Sequence, residues 1–294
     1  MSIAIIINPI SGGASPQVAQ ARAVQAAAIA ERAREPIDIF VTERRGHARE
    51  LAARVAAQGA RLVLAWGGDG TFNEVASAVA FSPVACGIVP AGSGNGLARE
   101  LQVDARPERA IADALQARPR AIDLGEIDGR LFANVAGVGF DAYVAGCFDA
   151  RERGRRGLSG YVGVVTRALA SYEIQRYAIA AGDERWALGA VLVTIANSAQ
   201  FGNGARIAPG ARVDDGFLDL VIVPERSRWR TVWHIPKLFA GTVERIPGSF
   251  VRKVQQVVIE SERPMAFHVD GEPAQGGTRL MVRVHPAALN VAVR

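Results

Sequence analysis

The chain has 294 residues, 49% of them hydrophobic and 21% charged. A disordered chain is thereby excluded, and a core burying roughly 75% of the unfolded surface is available. The net charge of +5 is compatible with an anionic ligand, a nucleic acid or a membrane surface and selects none of them. Cys86 and Cys147 are the only cysteines, which argues against a disulfide scaffold or a zinc site. Only two of the 34 basic residues, Lys237 and Lys253, are lysines, a skew that codon usage accounts for. The N-terminus lacks a basic region ahead of its short apolar run, so it reads as a strand and not a signal peptide. The uncharged stretch between Glu74 and Arg99 is interrupted by Ser77, Ser82, Pro83, Pro90 and several glycines, so it is not a membrane span. The expectation is a soluble, cytoplasmic protein whose membrane contact is transient and peripheral.

In chain order, strands are expected at 3–7, 37–41, 61–66 and 86–89. Helices are expected at 16–34, 48–58, 71–80 and from about Asn95. This alternation predicts a parallel sheet covered by helices. From about residue 122 the rhythm changes to short β-rich runs at 121–127, 131–138, 173–181, 186–196, 217–223, 254–260, 265–269 and 280–284, separated by turn residues. Those runs predict an antiparallel sandwich or barrel, interrupted by helices near 158–171 and 227–240. The expected fold is therefore an α/β N-terminal domain with a parallel sheet (1–124) followed by an all-β, sandwich-like domain (125–284). The last residues, about 285–294, are candidates to pack back on the first domain.

Three glycine-bearing loops follow strands of the expected parallel sheet: residues 8–13, 67–70 and 91–96. All would lie at its carboxyl edge, where open α/β folds bind ligands. Glycines let backbone N–H groups approach an anion, and the following helix N-terminus favours negative charge. Asp69, inside such a loop, would repel phosphate unless a cation stood between them, which points to Mg²⁺. Taken singly, Gly67-Gly68-Asp69-Gly70 reads equally well as a tight strand–helix turn. Three such loops on one edge fit a nucleoside triphosphate better. No P-loop or dinucleotide fingerprint occurs at these loops. Further on, Asp270-Gly271-Glu272 reads as a hairpin turn or, at a strand end, as two carboxylates on one face able to accept a proton. Asp214-Asp215-Gly216 reads as a turn.

The motifs Asn8-Pro9 with Gly12-Gly13, Thr42 to Ala48, Gly67-Gly68-Asp69-Gly70-Thr71-Phe72-Asn73-Glu74, Pro90-Ala91-Gly92-Ser93-Gly94-Asn95, Gly137-Val138-Gly139-Phe140-Asp141, Asp214-Asp215-Gly216-Phe217-Leu218-Asp219 and Val269-Asp270-Gly271-Glu272 resemble, in order, the diacylglycerol kinase catalytic-domain family. That family includes bacterial soluble lipid kinases and sphingosine kinases. The resemblance implies a two-domain, ATP-dependent lipid kinase with its site in the interdomain cleft, acting on diacylglycerol or a related lipid. By motif, Asn8, Thr42, Gly67, Gly68, Asp69, Gly70, Thr71, Phe72, Asn73 and Ser93 would contact ATP. Asp215, with the carbonyls of Arg212 and Phe217, would bind a structural Mg²⁺. Glu272 would accept the proton with Asp270 beside it, and Asp69 would organise Mg²⁺. Residues 92–96 depart from the Gly-Thr-x-Asn-Asp of many bacterial members toward sphingosine-kinase-like ones. Lysines that some members place near the nucleotide are missing, leaving Arg22, Arg44, Arg155 and Arg156 as candidate cations. A soluble NAD kinase, which shares the Gly-Gly-Asp-Gly-Thr element, and a regulator that binds nucleotide or lipid without catalysis are the alternatives.

Two basic segments remain. The one from Arg151 to Arg156 carries +3 (four Arg, one Glu), and the one from Arg226 to Lys253 carries +6 (seven basic, one acidic) with Trp229, Trp233 and Phe239. Each reads either as a solvated face or as a surface for anionic headgroups, the second mainly across 229–253. No nucleic-acid motif is present, and the oligomeric state stays open between monomer and homodimer. His47, His234, His268 and His285 lack ligand spacing and read as structural.

Overall fold

The computed structural model describes residues 2–13, 16–149, 172–202, 205–225 and 240–294, together with His234 and Lys237. The chain divides into two compact units, Met1–Ile122 with Ala287–Arg294, and Asp123–Pro286.

The first unit contains β1 (Ile3–Ile7), α1 (Pro16–Ala33), β2 (Ile37–Val41), α2 (His47–Ala57), β3 (Leu62–Gly67), α3 (Asp69–Val79), β4 (Ala85–Pro90), α4 (Gly96–Glu100) and α5 (Pro107–Gln116). Its strands pair in parallel in the order β4-β3-β1-β2. β1 and β3 are buried along their whole length, as continuous aliphatic runs require when both faces of a parallel sheet are covered. Ile3, Ile5, Ile7, Leu62, Leu64 and Trp66 pack on Ala26 and Ile29 of α1 and on Ala110, Ile111 and Ala114 of α5. α2 and α3 pack on each other and on β1 and β3. The helix expected from Asn95 is two helices, α4 and α5, and α5 starts on Pro107, a residue pre-set for a first helical turn. Its buried face is Ala110, Ile111 and Ala114.

The second unit contains β5 (Arg120–Ile127), β6 (Arg130–Phe132), β7 (Val135–Gly139), α6 (Phe140–Asp149), β8 (Gln175–Ala181), β9 (Glu184–Ala196), β10 (Gln200–Gly202), β11 (Ala205–Arg206), β12 (Leu218–Pro224), β13 (Phe250–Val254), β14 (Gln256–Glu260), β15 (Ala266–Val269), β16 (Glu272–Gln275) and β17 (Arg279–Val291). The strands run β16-β15-β7-β9-β8-β14-β17, and β9 also pairs with β12, which pairs with β13. These pairings are antiparallel. The expected β-rich, antiparallel second domain is therefore what forms. β12 and, from Gly189 on, β9 bury both faces. Val193, Ile195, Leu220 and Ile222 join one core with Phe132, Ile259 and Phe267, while Leu192, Ala196, Val221 and Val223 join another with Ile207, Val243 and Ile246. The expected single strand at 131–138 is two, β6 and β7; the one at 254–260 is β14, preceded by β13, and neither β13 nor α6 was anticipated. The expected helices near 158–171 and 227–240 lie outside the described residues, apart from His234, Lys237 and Ala240.

The end of β17 returns to the first unit. Asn290 and Val291 pair in parallel with Ala85 and Cys86 of β4, and the Ala292 N–H donates to the Cys86 carbonyl at 2.8 Å.

Candidate active site

β1, β3 and β4 are neighbours in a parallel sheet, so the loops that follow them share its carboxyl edge. There they touch backbone to backbone. The Asn8 N–H donates to the Trp66 carbonyl at 2.9 Å and the Ala91 N–H to the Gly67 carbonyl at 2.8 Å. A Cβ on Gly12, whose φ is +73°, would sit 2.4 Å from the Ala91 carbonyl oxygen. One on Gly92 would sit 2.6 Å from Gly68 Cα, and one on Gly67 would collide with Thr71 at 2.5 Å. Glycine is thus required at these contacts by space, and at Gly12 by conformation as well. The Asn8 amide donates to Thr71 Oγ1 at 2.8 Å. Asn95, in the left-handed region at φ 48°, closes the third loop on itself. Its Oδ1 accepts from the Gly92 N–H at 2.9 Å, and its Nδ2 donates to the Gly92 carbonyl at 2.9 Å. Ser93 is exposed on this loop.

Asp69 opens α3 at this junction, and its Oδ1 accepts from the Leu97 N–H at the start of α4 at 3.4 Å. Thr42 follows β2, with its N–H on the Ile7 carbonyl at 2.9 Å. The Phe72 ring is buried and its N–H bonds to the Gly68 carbonyl at 3.0 Å. Glu74, from the same motif, accepts from the N–H groups of Gly46, Ala48 and Arg49 at 2.9, 3.0 and 3.4 Å. It therefore supplies the orphan amides at the start of α2 with an acceptor. Arg22 donates to the carbonyls of Asn8 at 2.9 Å and Ser11 at 3.1 Å; burial lowers its pKa, and it anchors the first loop. Arg44 pairs with Glu50 at 2.6 Å on the surface. Arg155 and Arg156 lie outside the described residues.

In the second unit, Asp270 and Gly271 have φ of 49° and 87° and form the two-residue turn between β15 and β16, with Val269 opposite Glu272. This is the backbone twist that an Asp-Gly hairpin favours. The same-face expectation for Asp270 and Glu272 is corrected: side chains alternate along a strand, and these two residues are not on one strand. The Asp270 carboxylate accepts from the N–H groups of Ala133 at 2.9 Å, Asn134 at 2.9 Å and Val135 at 2.8 Å. It ties the hairpin to β7, while Glu272 is exposed at the start of β16. Beneath the turn, the Gly271 N–H donates to His268 Nδ1 at 3.4 Å, and His268 Nε2 faces Asp141 Oδ2 at 3.4 Å. Thr194 donates to the same Asp141 oxygen at 2.9 Å. A Cβ on Gly137 would lie 1.9 Å from that oxygen, which explains the glycine of the 137–141 motif. Asp141 and His268 were missed as a pair, because no local spacing joins positions on α6 and β15.

Asp215 Oδ1 accepts from the Phe217 N–H at 3.1 Å, and Oδ2 lies 2.6 Å from Lys253 Nζ. Lys253 also lies 3.4 Å from Asp219 Oδ2. Arg212 pairs with Asp214 at 3.4 Å. Buried Asp123 accepts from the Gly216 N–H at 2.7 Å and fixes this loop. Both Asp215 oxygens are therefore engaged, one by an ammonium. Asp215, the carboxylate expected to bind Mg²⁺ with the carbonyls of Arg212 and Phe217, has an ammonium on the oxygen that would face the ion, which speaks against a resident Mg²⁺ there. Asp69 differs: a carboxylate among glycine loops at helix starts suits an ion that keeps most of its ligands as water. Among the described residues, no three His, Cys, Asp or Glu side chains are placed to hold a metal, and no helix is long and apolar enough to cross a membrane.

Residues 2–127 match the diacylglycerol kinase catalytic domain, and residues 134–293 match the YegS C-terminal NAD kinase beta sandwich-like domain. A probable lipid kinase YegS-like of Pseudomonas aeruginosa PAO1 is 33% identical over 281 residues, 91% of this chain and 88% of its own. A probable lipid kinase YegS-like of Pseudomonas fluorescens Pf-5 is 32% identical over 258 residues, 87% and 85% of the two chains. Among solved structures, a putative diacylglycerol kinase from Bacillus anthracis superposes with a TM-score of 0.79 at 22% identity, covering 100% of this chain and 96% of that one. An ATP complex of an NAD kinase from Archaeoglobus fulgidus superposes with 0.58 at 12% identity, covering 99% and 93%. Both structural likenesses speak for the fold. The two family domains, in order along nearly the whole chain, and relatives above 30% identity place this chain in the YegS-like lipid kinase family.

Proposed function

We propose that the chain transfers the γ-phosphoryl group of ATP to the hydroxyl of diacylglycerol or a closely related lipid. The observation that supports this reading is the contact of three glycine loops at the carboxyl edge of one parallel sheet, with Asp69 at their junction. Phosphoryl transfer needs a positioned anion, neutralised charge and a proton acceptor. Asn8, Gly67, Gly68, Gly70, Thr71, Asn73 and Ser93 would hold the phosphates and nucleotide, with Thr42 at the end of the neighbouring strand. Asp69 would hold Mg²⁺, which supplies charge neutralisation when it arrives with ATP. Glu272 would take the proton from the lipid hydroxyl as its oxygen bonds to the γ-phosphorus and ADP leaves. Asp270 is not assigned that role, since its carboxylate serves three backbone amides.

Access to lipid is proposed through the basic, aromatic segments between Arg151 and Arg156 and between Trp229 and Lys253. Residues 151–156, 229–233, 235, 236, 238 and 239 lie outside the described residues. Of the described lysines, Lys237 donates to the Arg245 carbonyl at 2.9 Å and Lys253 is committed to carboxylates, so the arginines and tryptophans would carry the contact. The test is a side-by-side assay with γ-labelled ATP on diacylglycerol vesicles, total lipid extract and NAD. Label in a lipid product is expected. Label in NAD alone would make the chain an NAD kinase, and ATP binding without transfer would make it a regulator.

A further inference from the structure

The acidic segment 214–219 is where a structural divalent cation was expected, and the protein places a lysine there. We propose that the Lys253 ammonium is the resident counter-ion of the Asp215 and Asp219 carboxylates, so that this segment folds without a metal ion.

Four observations carry the assignment. Lys253 Nζ lies 2.6 Å from Asp215 Oδ2 and 3.4 Å from Asp219 Oδ2, so one cation bridges the turn and the strand that follows it. The register sets this contact: Asp219 of β12 lies directly opposite Lys253 of β13, and cross-strand neighbours of opposite charge attract. Asp219 is only 4% exposed, and a buried carboxylate requires a counter-charge. Finally, Mg²⁺ needs close, near-octahedral oxygen ligands. An ammonium at hydrogen-bond distance from Asp215 Oδ2, with Oδ1 accepting from the Phe217 N–H, leaves neither Asp215 oxygen without a donor. The choice of residue fits the task. Lys253 is one of two lysines among 34 basic residues. A compact ammonium with three donors can serve two carboxylates on different elements, whereas the planar guanidinium matches one carboxylate in bidentate fashion.

The test uses nucleotide-free, full-length protein and no turnover assay, so its outcome is separate from the kinase reading. Mn²⁺ is the probe, followed by electron paramagnetic resonance in the Asp69→Asn background, which removes the proposed nucleotide-linked carboxylate. No Mn²⁺ dependent on Asp215 is expected. One Mn²⁺ per chain that disappears in the Asp69→Asn, Asp215→Asn double variant overturns the proposal. In parallel, the wild-type melting midpoint is expected to be equal in EDTA and in millimolar MgCl₂. A rise in MgCl₂ that is lost in Asp215→Asn overturns it. Lys253→Met is expected to melt about 5 °C or more below wild type in both buffers, as a buried carboxylate loses its partner; an unchanged midpoint overturns the counter-ion role. Should that variant not fold, the Mn²⁺ and wild-type arms still decide.

Discussion

The two carboxylates of the 270–272 motif have separate assignments, and substitution separates them. Glu272→Gln keeps the size of the side chain and removes the proposed base. Transfer is expected to fall by roughly 10²–10⁴-fold, while the melting midpoint and ATP affinity stay near wild type. Asp270→Ala leaves three backbone amides without their carboxylate, so a stability loss of roughly 1–3 kcal/mol is expected in a urea titration. Equal stability of Asp270→Ala and wild type would sink the anchoring role. Asp69 gives a third contrast. Asp69→Ala removes the carboxylate at the loop junction, including its long hydrogen bond of 3.4 Å from the Leu97 N–H. Turnover is expected to drop by roughly 10²–10³-fold with the fold intact by circular dichroism. Wild-type turnover in that variant would remove Asp69 from the mechanism.

Strand and loop contacts set the next scale. A methyl group on Gly12 meets the Ala91 carbonyl oxygen at 2.4 Å, at a φ of +73°. Gly12→Ala is expected to cost roughly 1–3 kcal/mol and to weaken ATP binding by parting the first loop from the third. Isothermal titration with ATP checks it, and unchanged affinity would detach the glycine contacts from nucleotide binding. The β12–β13 pair makes a pH-dependent contribution. Burial acts to lower the Lys253 pKa, but its hydrogen bond to Asp215 and the charges of Asp219 and Asp215 outweigh burial, and the net shift is upward. A raised lysine stabilises fully below its unfolded value near 10.5 and loses that contribution as pH climbs through its higher folded value. Wild type is therefore expected to lose more stability than Lys253→Met above about pH 10.5, read from urea midpoints across that range. Elements with strong local signals were legible in the sequence. The Ile3–Ile7 run, the glycine loops after β1, β3 and β4, and the change of rhythm near residue 122 all follow from residue type and period. What was not legible depends on partners distant in sequence. Lys253 reads as part of a basic segment until β13 is laid against β12. Asp270 reads as a base until residues 133–135 supply its amides. Glu74 reads as part of a phosphate motif until α2 is placed above it.

At the scale of the whole chain, the nucleotide-binding proposal extends to residues with no motif. β4 carries the loop that ends in Asn95, and its flank away from β3 is covered by the last residues of the chain, where Asn290 and Val291 pair with Ala85 and Cys86. The Phe81 N–H donates to the Ala288 carbonyl at 2.7 Å, the Ala292 N–H to the Cys86 carbonyl at 2.8 Å, and the Asn290 amide to the Ser82 carbonyl at 3.1 Å. Leu289, Val291 and Ala292 are buried. The first unit is thus assembled from both ends of the chain, and residues 1–122 alone would expose an apolar strand edge of the kind that invites aggregation. Leu289→Ala deletes one fully buried side chain from this seam and is expected to cost roughly 2–5 kcal/mol. Hydrogen exchange should then quicken at β4 before β9 and β12, whose strands belong to the other unit, and ATP affinity should fall although Leu289 belongs to no glycine loop. Unchanged exchange at residues 85–90 together with unchanged ATP affinity would mean that the returning segment plays no part in holding the third loop.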